Sequence, residues 1–445
     1  MSESFYLLSL GCPKNEVDAE VLINDLKDRG YYYVTSPERA DFLMINTCGF
    51  ILDAKEEAIA AILDLADYKS DNRKKLIVLG CLSQRYANEI YEEFPEVDLA
   101  LGTADYHKAH EFLEKLSAGE NLRGYIPGDP GSVDHLNVNR KIAPNRRFAY
   151  LKISEGCYNF CAFCAIPQMR GTLKSRSIGD ICREAEYLIA NGIREIILVS
   201  QDTTRYGTDL YKKPSLPELL RALDELDGQF KIRLMYMYGE AFAEELVDVI
   251  AGSDHILHYI DMPIQHASDK ILKAMRRHET KDGLAKLITR LRERVPDIIL
   301  RTTVMVGFPG ETDADFEELL DFIKTYQFDR LGCFIFSPEE GTPAYDMDGR
   351  PDEKVSGLRY NRLMQAQQAI SAQRNNLRLN TECDVLIEGV SEDGLFYTGR
   401  SYGEAPEIDP LIYVLATSPD ISVGDIARVK IVEVDDYELT GVTVQ

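Results

Sequence analysis

The chain has no run of about 18 apolar residues, so no stretch reads as a membrane-spanning helix. Its opening, Met1-Ser2-Glu3-Ser4-Phe5-Tyr6-Leu7-Leu8, lacks the basic region and long apolar core of an export signal. It reads as a polar lead-in to a strand, and the sequence therefore predicts a cytoplasmic protein. Basic charge is also short. Lys and Arg number 50 against 74 Asp and Glu, a formal net charge of −24. That balance argues against a large phosphate-binding surface and makes nucleic acid a poor substrate. It suits a basic protein partner, because complementary charge steers association. No internal repeat or low-complexity tract is present. What remains, 45% hydrophobic and 28% charged residues over 445 positions, is ordinary globular composition spread over about three domains.

Residues 1–125 alternate strand-like and helical patterns. Runs at 5–10, 40–46 and 75–80 are short and apolar, and 17–28 and 52–68 carry apolar residues at helical spacing. This alternation predicts a doubly wound parallel sheet. Residues 126–145, rich in Gly, Pro and Asn, read as a linker. Over 146–375 the alternation resumes, with strand-like runs at 149–153, 195–199, 232–237, 258–262, 298–306 and 331–336. Six strands with helices between them predict a partial or complete β/α barrel. Residues 356–379 form one long helical pattern. In 376–445, short runs at 384–388, 396–400, 411–416 and 427–433 alternate with Gly, Pro and Asp turns, which suits a small antiparallel β-barrel of oligonucleotide-binding type.

Nine cysteines in a chain of this kind read as thiolate ligands or buried apolar residues rather than disulfides. Three fall in Gly156-Cys157-Tyr-Asn-Phe-Cys161-Ala-Phe-Cys164, directly after a predicted strand. Such spacing lets one loop wrap three soft thiolates around one cluster. A zinc site or a ferredoxin run would want a fourth ligand close by, and the nearest cysteine is Cys182. Cys12, Cys48 and Cys81 each follow a predicted strand and each neighbours a glycine, Gly11, Gly49 and Gly80. At the carboxyl edge of an open parallel sheet three such thiols can meet. Cys182, Cys333 and Cys383 have apolar neighbours and read as buried free cysteines.

The central loop resembles the radical S-adenosylmethionine signature, Cys-x3-Cys-x2-Cys with an aromatic before the last cysteine. The resemblance implies a 4Fe–4S cluster on Cys157, Cys161 and Cys164, whose open iron binds S-adenosylmethionine. It also implies reductive cleavage of that cofactor to a 5′-deoxyadenosyl radical, and places Phe163 near the adenine. The whole layout is similar to the methylthiotransferases, in which Cys12, Cys48 and Cys81 would hold a second 4Fe–4S cluster and the C-terminal barrel is a TRAM domain. An electron donor such as flavodoxin or ferredoxin follows from the same chemistry. Gln201 and Gln265, at predicted carboxyl ends of strands, and Arg301, which shares a strand face with Thr303, are either cofactor or substrate contacts or polar loop caps. Gly307 and Gly310 lie in a turn that runs beside the adenine in the superfamily. Thr312 and Asp315 fit a helix capping box.

Two branches divide that family, one modifying an adenosine in tRNA and the other the β-carbon of an aspartate in small-subunit ribosomal protein twelve. Ser9-Leu-Gly-Cys12-Pro-Lys-Asn15, Asn46-Thr-Cys48-Gly-Phe-Ile51 and Glu404-Ala-Pro-Glu-Ile-Asp409 resemble the ribosomal-protein branch, whereas the tRNA branch reads Gly-Cys-Gln-Met-Asn at the first cysteine. Charge agrees, since from Asn380 onward 14 acidic residues face three basic ones. A non-enzymatic iron–sulfur sensor or scaffold is the reading from a different class, and three-ligand clusters with an open iron count against it.

Overall fold

The computed structural model describes residues 3–69, 73–137, 140, 142–143, 146–416 and 421–444. Five strands, β1 (Ser4–Ser9), β2 (Tyr32–Tyr33), β3 (Phe42–Thr47), β4 (Lys75–Gly80) and β5 (Val97–Leu101), form a parallel sheet in the order β2-β1-β3-β4-β5. Every position of β3 is buried, and so is every position of β4 after Lys75. Strands without a polar face require cover on both sides. Helices α1 (Pro13–Asp28) and α4 (Ala109–Ser117) supply it on one face, over Phe5, Met44 and Ile77. Helices α2 (Leu52–Asp67) and α3 (Cys81–Glu93) supply it on the other, over Leu43, Ile45 and Val78. The sheet is doubly wound, and its order reverses between β1 and β3, where the crevice of such sheets opens.

The predicted linker is partly structured. Leu136 is buried, and Arg140 is buried between Glu20 and Glu184. Residues 138, 139, 141, 144 and 145 of that segment lie outside the described residues.

Strand β6 (Phe148–Lys152) opens the central part. A two-residue ladder, β7 (Ser154–Glu155) with β8 (Lys174–Ser175), then closes the base of a long loop that contains α5 (Ile166–Arg170). Five further strands follow: β9 (Glu195–Val199), β10 (Lys231–Leu234), β11 (Ile256–Asp261), β12 (Ile299–Val306) and β13 (Arg330–Ile335). With β6 they form an all-parallel sheet in the order β13-β12-β11-β10-β9-β6. Helices α6 (Ile178–Ala190), α7 (Leu216–Asp224), α8 (Glu244–Gly252), α9 (Asp269–Ala274), α10 (Lys281–Arg294) and α11 (Asp313–Tyr326) connect them, and the capping box at Thr312 and Asp315 opens α11. Among the described residues β6 does not pair with β13, so the barrel is partial. Its concave side is filled from outside. Val17 and Val21 of α1 and Ala405 of the C-terminal part pack with Tyr150, Ile197, Tyr259 and Ile299 of the strands. Helix α1 thus belongs to two cores at once, which brings the N-terminal sheet edge against the mouth of the barrel.

Helix α12 (Glu353–Asn376) leads to a closed barrel of β14 (Glu382–Val390), β15 (Tyr397–Arg400), β16 (Ile412–Leu415), β17 (Ile426–Val434) and β18 (Leu439–Thr443). Its pairings are antiparallel except β16 with β18, which is parallel. Buried ions fix it to the larger barrel. Glu195 accepts from Arg233 at 2.5 Å and pairs with Arg400 at 2.7 Å, and Arg233 donates to the carbonyls of Ser401 and Tyr402. Buried charges are tolerable only when paired and hydrogen-bonded in this way.

Candidate active site

Glycine is what lets the three N-terminal cysteine loops meet. Gly11 has φ +95, and a Cβ there would sit 2.8 Å from Cys48 Cβ. Gly80 has φ +105, and its Cβ would sit 2.6 Å from the Thr47 carbonyl oxygen. A Cβ on Gly49 would lie 2.9 Å from Leu82 Cα, so that glycine serves close approach alone. No side chain larger than hydrogen fits these contacts without displacement. Asn15 adds polar staples, its Nδ2 donating to the carbonyls of Leu10 and Thr47 at 3.0 Å each. Asn46 donates back to the Asn15 carbonyl at 2.9 Å. Cys12 precedes α1, Cys48 follows β3 and Cys81 begins α3.

The central loop is pinned at several points. The Cys157 amide donates to the Gly171 carbonyl at 3.1 Å, Cys164 to Cys161 at 3.0 Å, and Ala162 to Met275 at 2.9 Å. The Ala162 carbonyl in turn accepts from Ala344 at 2.8 Å. All six cysteines, Cys12, Cys48, Cys81, Cys157, Cys161 and Cys164, line one cavity of about 400 Å³. Cys182, Cys333 and Cys383 do not; they pack on the hydrophobic cores from α6, β13 and β14. Three of the cavity's residues, Phe160, Tyr236 and Gln265, have positive φ without being glycine. Such strain concentrates where surrounding structure over-determines a functional geometry.

Phe163, Gln201 and Gln265 also line the cavity. Gln201 is oriented by a 2.7 Å bond from its Nε2 to Glu155, and Gln265 bridges to β12 through the carbonyl of Thr303 and the amide of Met305. Arg301, Gly307 and Gly310 are not in the lining. Arg301 pairs with Asp261 at 2.7 Å and reaches Asp409 of the C-terminal part at 3.8 Å, which ties the two barrels together. Its face-mate Thr303 is the β12 residue in the lining. Gly307 and Gly310 form a turn closed by Glu311, which accepts from the amide of Phe308 at 3.1 Å, and by the amide of Gly310 donating to Gly349 at 2.9 Å.

Sequence reading missed a buried ion network behind the cysteines. Arg170 Nη1 contacts Asp18 at 2.6 Å and Glu155 at 3.0 Å, while its Nε donates to Cys81 Sγ at 3.2 Å. Lys152 joins the same carboxylates, Asp18 at 2.5 Å and Glu155 at 2.6 Å, and His135 Nε2 lies 2.8 Å from Asp18. Asp18, His135 and Glu155 could by spacing hold a metal ion, but Lys152 and Arg170 already supply the two positive charges there. The network spans α1, β6, β7 and α5, so it joins the cysteine loops of both parts. Its members are scattered over more than 150 positions and only the fold reveals them. The one local signal is the charge of Lys152, Glu155 and Arg170 beside an apolar strand.

Burial pushes the Cys12 thiol up, but the cations Lys14 and Arg170 and two backbone amides outweigh it, and the net shift is downward. Burial pushes Cys48 up, with the neighbouring Cys12 charge adding to it. Burial takes Cys81 to about 12 in spite of Arg170, and Cys157 to about 12 in spite of the Asn159 amide. Cys161 and Cys164 rise for the same first reason. Thiols kept protonated by burial become ligands when a cation compensates their charge, so cation binding here releases protons.

Comparison with known proteins gives a consistent assignment along the chain. Residues 4–102 match the family described as Uncharacterized protein family UPF0004, residues 151–323 the Radical SAM superfamily and residues 381–444 the TRAM domain. The protein named ribosomal protein uS12 methylthiotransferase RimO from Acetivibrio thermocellus is 46% identical, covering 99% of this chain and 98% of its own. Those of the same name from Geobacter sulfurreducens and Clostridioides difficile are 47% and 44% identical, covering 99% and 98% of this chain and 98% and 97% of their own. Among solved structures, the radical S-adenosylmethionine methyltransferase TsrM from Kitasatospora setae, with cobalamin and a [4Fe-4S] cluster bound, shares the fold. Its TM-score is 0.61 at 15% identity, over 78% of this chain and 77% of its own. By identity and coverage along its whole length, this chain belongs to the family of ribosomal protein uS12 methylthiotransferases.

Proposed function

We propose that the protein inserts a methylthio group at the β-carbon of an aspartate in ribosomal protein uS12, using S-adenosylmethionine and two 4Fe–4S clusters. The observation that carries this reading is the convergence of six cysteines, from four separate stretches of chain, on one cavity. The donor set fits: three thiols per group, with no disulfide among them, and a fourth iron position left open on each. Cys157, Cys161 and Cys164 would hold the cluster that binds S-adenosylmethionine, and Cys12, Cys48 and Cys81 the second. When bound, these cofactors supply hydrogen-atom abstraction from an unactivated C–H bond together with the sulfur and the methyl group of the product.

The chain's own residues do the positioning. Gly11, Gly49 and Gly80 bring one set of thiols together, and the amides of Cys157 and Cys164 hold the fold of the other loop. Phe163, Gln201 and Gln265 border the same space and would touch the cofactor; Arg301, Gly307 and Gly310 lie outside that lining. Apolar walls from Phe50, Ile166, Met169 and Met237 exclude water, which protects reactive species and strengthens polar contacts. Residues 1–125, 146–375 and 376–445 form the three working units, joined through 126–145. Reducing equivalents come from a donor of flavodoxin or ferredoxin type, and the setting is cytoplasmic.

Charge supports a protein substrate over tRNA. The C-terminal barrel exposes Glu382, Asp384, Glu392, Asp393, Asp425, Glu433, Asp435 and Glu438. Among the described residues its one exposed cation, Arg428, is already shared between Glu382 and Asp384. Glu404 and Asp409 are buried against the large barrel, so they do not add to that face. A basic ribosomal protein is attracted to such a surface and a polyanion is repelled. Anaerobic reconstitution tests the ligand assignment. The wild type should hold roughly eight irons per chain, and the triple alanine variant of either cysteine set roughly four. A triple variant that keeps the full complement would overturn it.

A further inference from the structure

Eleven Lys and Arg side chains are buried among the described residues, and ten of them have a carboxylate within ion-pair distance. Lys14 is the exception. It is 7% exposed, it lines the cavity, and its Nζ makes one long bond, 3.4 Å to the Ser200 carbonyl. Its other near contact is the face of Tyr236, whose ring centre is 3.3 Å away; the Cys12 thiol, Glu155 and Asp261 also act on its charge, the two carboxylates from beyond ion-pair distance. Tyr236 is itself held with φ +59, its amide donating to Asp261 at 3.1 Å and its carbonyl accepting from Thr203 at 3.0 Å. The ring is therefore a fixed seat for the ammonium, a cation–π contact where the other buried cations have a carboxylate. A buried cation without a carboxylate partner is costly, and among the described residues Lys14 is the one buried Lys or Arg in that state.

We infer that Lys14 binds the side-chain carboxylate of the aspartate that is modified, so that the substrate supplies the carboxylate partner that the fold does not. The inference rests on the substrate reading above. A carboxylate on Lys14 holds the adjacent β-carbon inside the space that the six cysteines line. An adenosine has no carboxylate to offer. The other carboxylate that enters the cavity is that of S-adenosylmethionine itself, and the test separates the two.

Equilibrium binding to the cluster-loaded full chain is measured with a synthetic peptide spanning the modified aspartate of uS12 and with the same peptide carrying asparagine. Losing one partner of a buried charge pair weakens binding on the order of thirtyfold or more, so the wild type should prefer the aspartate peptide by that factor. Lys14→Met should erase the preference, and Lys14→Arg should keep part of it. The affinity for S-adenosylmethionine, measured separately, should be the same in wild type and Lys14→Met. A wild type that binds both peptides equally overturns the inference, as does a Lys14→Met variant that still prefers aspartate. So does a variant that loses affinity for S-adenosylmethionine with the peptide preference intact, which assigns Lys14 to the cofactor. Iron and sulfide content are measured alongside. If Lys14→Met does not load, Lys14→Gln replaces it, and the wild-type comparison stands without either. Failure of the substrate reading looks different: the wild type would modify tRNA and neither bind nor modify uS12, and the inference would fall with it.

Discussion

Replacing Arg170 by methionine removes one of the two buried cations, Lys152 and Arg170, that join the two cysteine-bearing parts. In the wild type, Asp18 and Glu155 face two cations, Lys152 and Arg170, all buried. In Arg170→Met, two carboxylates share one ammonium, and a buried negative charge is left over. Breaking a buried pair from one side costs about 3–5 kcal/mol, and because Lys152 remains the loss should fall near 3. That is a large part of the 5–15 kcal/mol typical of whole domains. Urea unfolding of the cluster-free protein reads the loss as a lower midpoint. The sharper test is the double variant. Asp18→Asn in the Arg170→Met background restores one anion to one cation, and should regain about 1–2 kcal/mol, although Asp18→Asn alone destabilises. Acid sensitivity follows from the same network. Asp18 and Glu155 are held below their ordinary values by Lys152 and Arg170, against the opposing effect of burial. Their contribution is present above about pH 4.5 and is lost as pH falls through the depressed values. Arg170→Met should therefore unfold at higher pH on the acid side. A double variant less stable than Arg170→Met would refute the reasoning.

Alanine at Cys157, Cys161 or Cys164 should abolish reductive release of 5′-deoxyadenosine. Alanine at Cys12, Cys48 or Cys81 should abolish methylthio transfer while cofactor cleavage persists; equal loss from both sets in a cleavage assay would contradict the division of labour. Gly80→Ala places a Cβ 2.6 Å from the Thr47 carbonyl at φ +105, and should cost about 1–3 kcal/mol and lower the iron retained by the N-terminal set; wild-type iron content and midpoint would sink that account. His266 is fully buried, its Nδ1 accepts from the Ser268 amide at 2.9 Å, and burial lowers it to about 3. A depressed histidine is lost to protonation as acid is added, so stability should fall by about 1.4 kcal/mol per pH unit between pH 6.5 and 3. His266→Asn should flatten that slope in denaturation measured against pH, and an unchanged slope would assign it to other groups.

The repeating elements were legible because their hydrophobic patterns are local. Glu195–Val199 and Lys75–Gly80 are buried runs bounded by polar residues, and the sequence reading delimits them as the structure does. Five strands escaped it, three of them only two residues long, Tyr32–Tyr33, Ser154–Glu155 and Lys174–Ser175. Val97–Leu101 follows α3 with an aspartate inside it, and Leu439–Thr443 is five residues with alternating burial, too short to stand out. The cysteines were legible for a different reason: thiol ligands need fixed spacing in the loop, and glycines mark where three strands end close together. The ion network was not, because Asp18, Lys152 and Arg170 acquire meaning only when α1 packs into the open barrel. Arg301 shows the converse. Its place on a polar strand face was readable, but its pairing with Asp261 and its reach to Asp409 of the C-terminal part, which make it a joint between barrels, were not. Lys14 combines both cases, being visible as part of a cysteine motif while its lack of an ion-paired carboxylate can be seen only in the fold.

The most direct test of the account is an anaerobic assay of reconstituted, reduced protein with S-adenosylmethionine and sulfide, offered ribosomal protein uS12 and unmodified tRNA in parallel and read by mass spectrometry. The account predicts a methylthio mass gain on one aspartate of uS12 and none on RNA. A gain on adenosine, with uS12 unchanged, would contradict it.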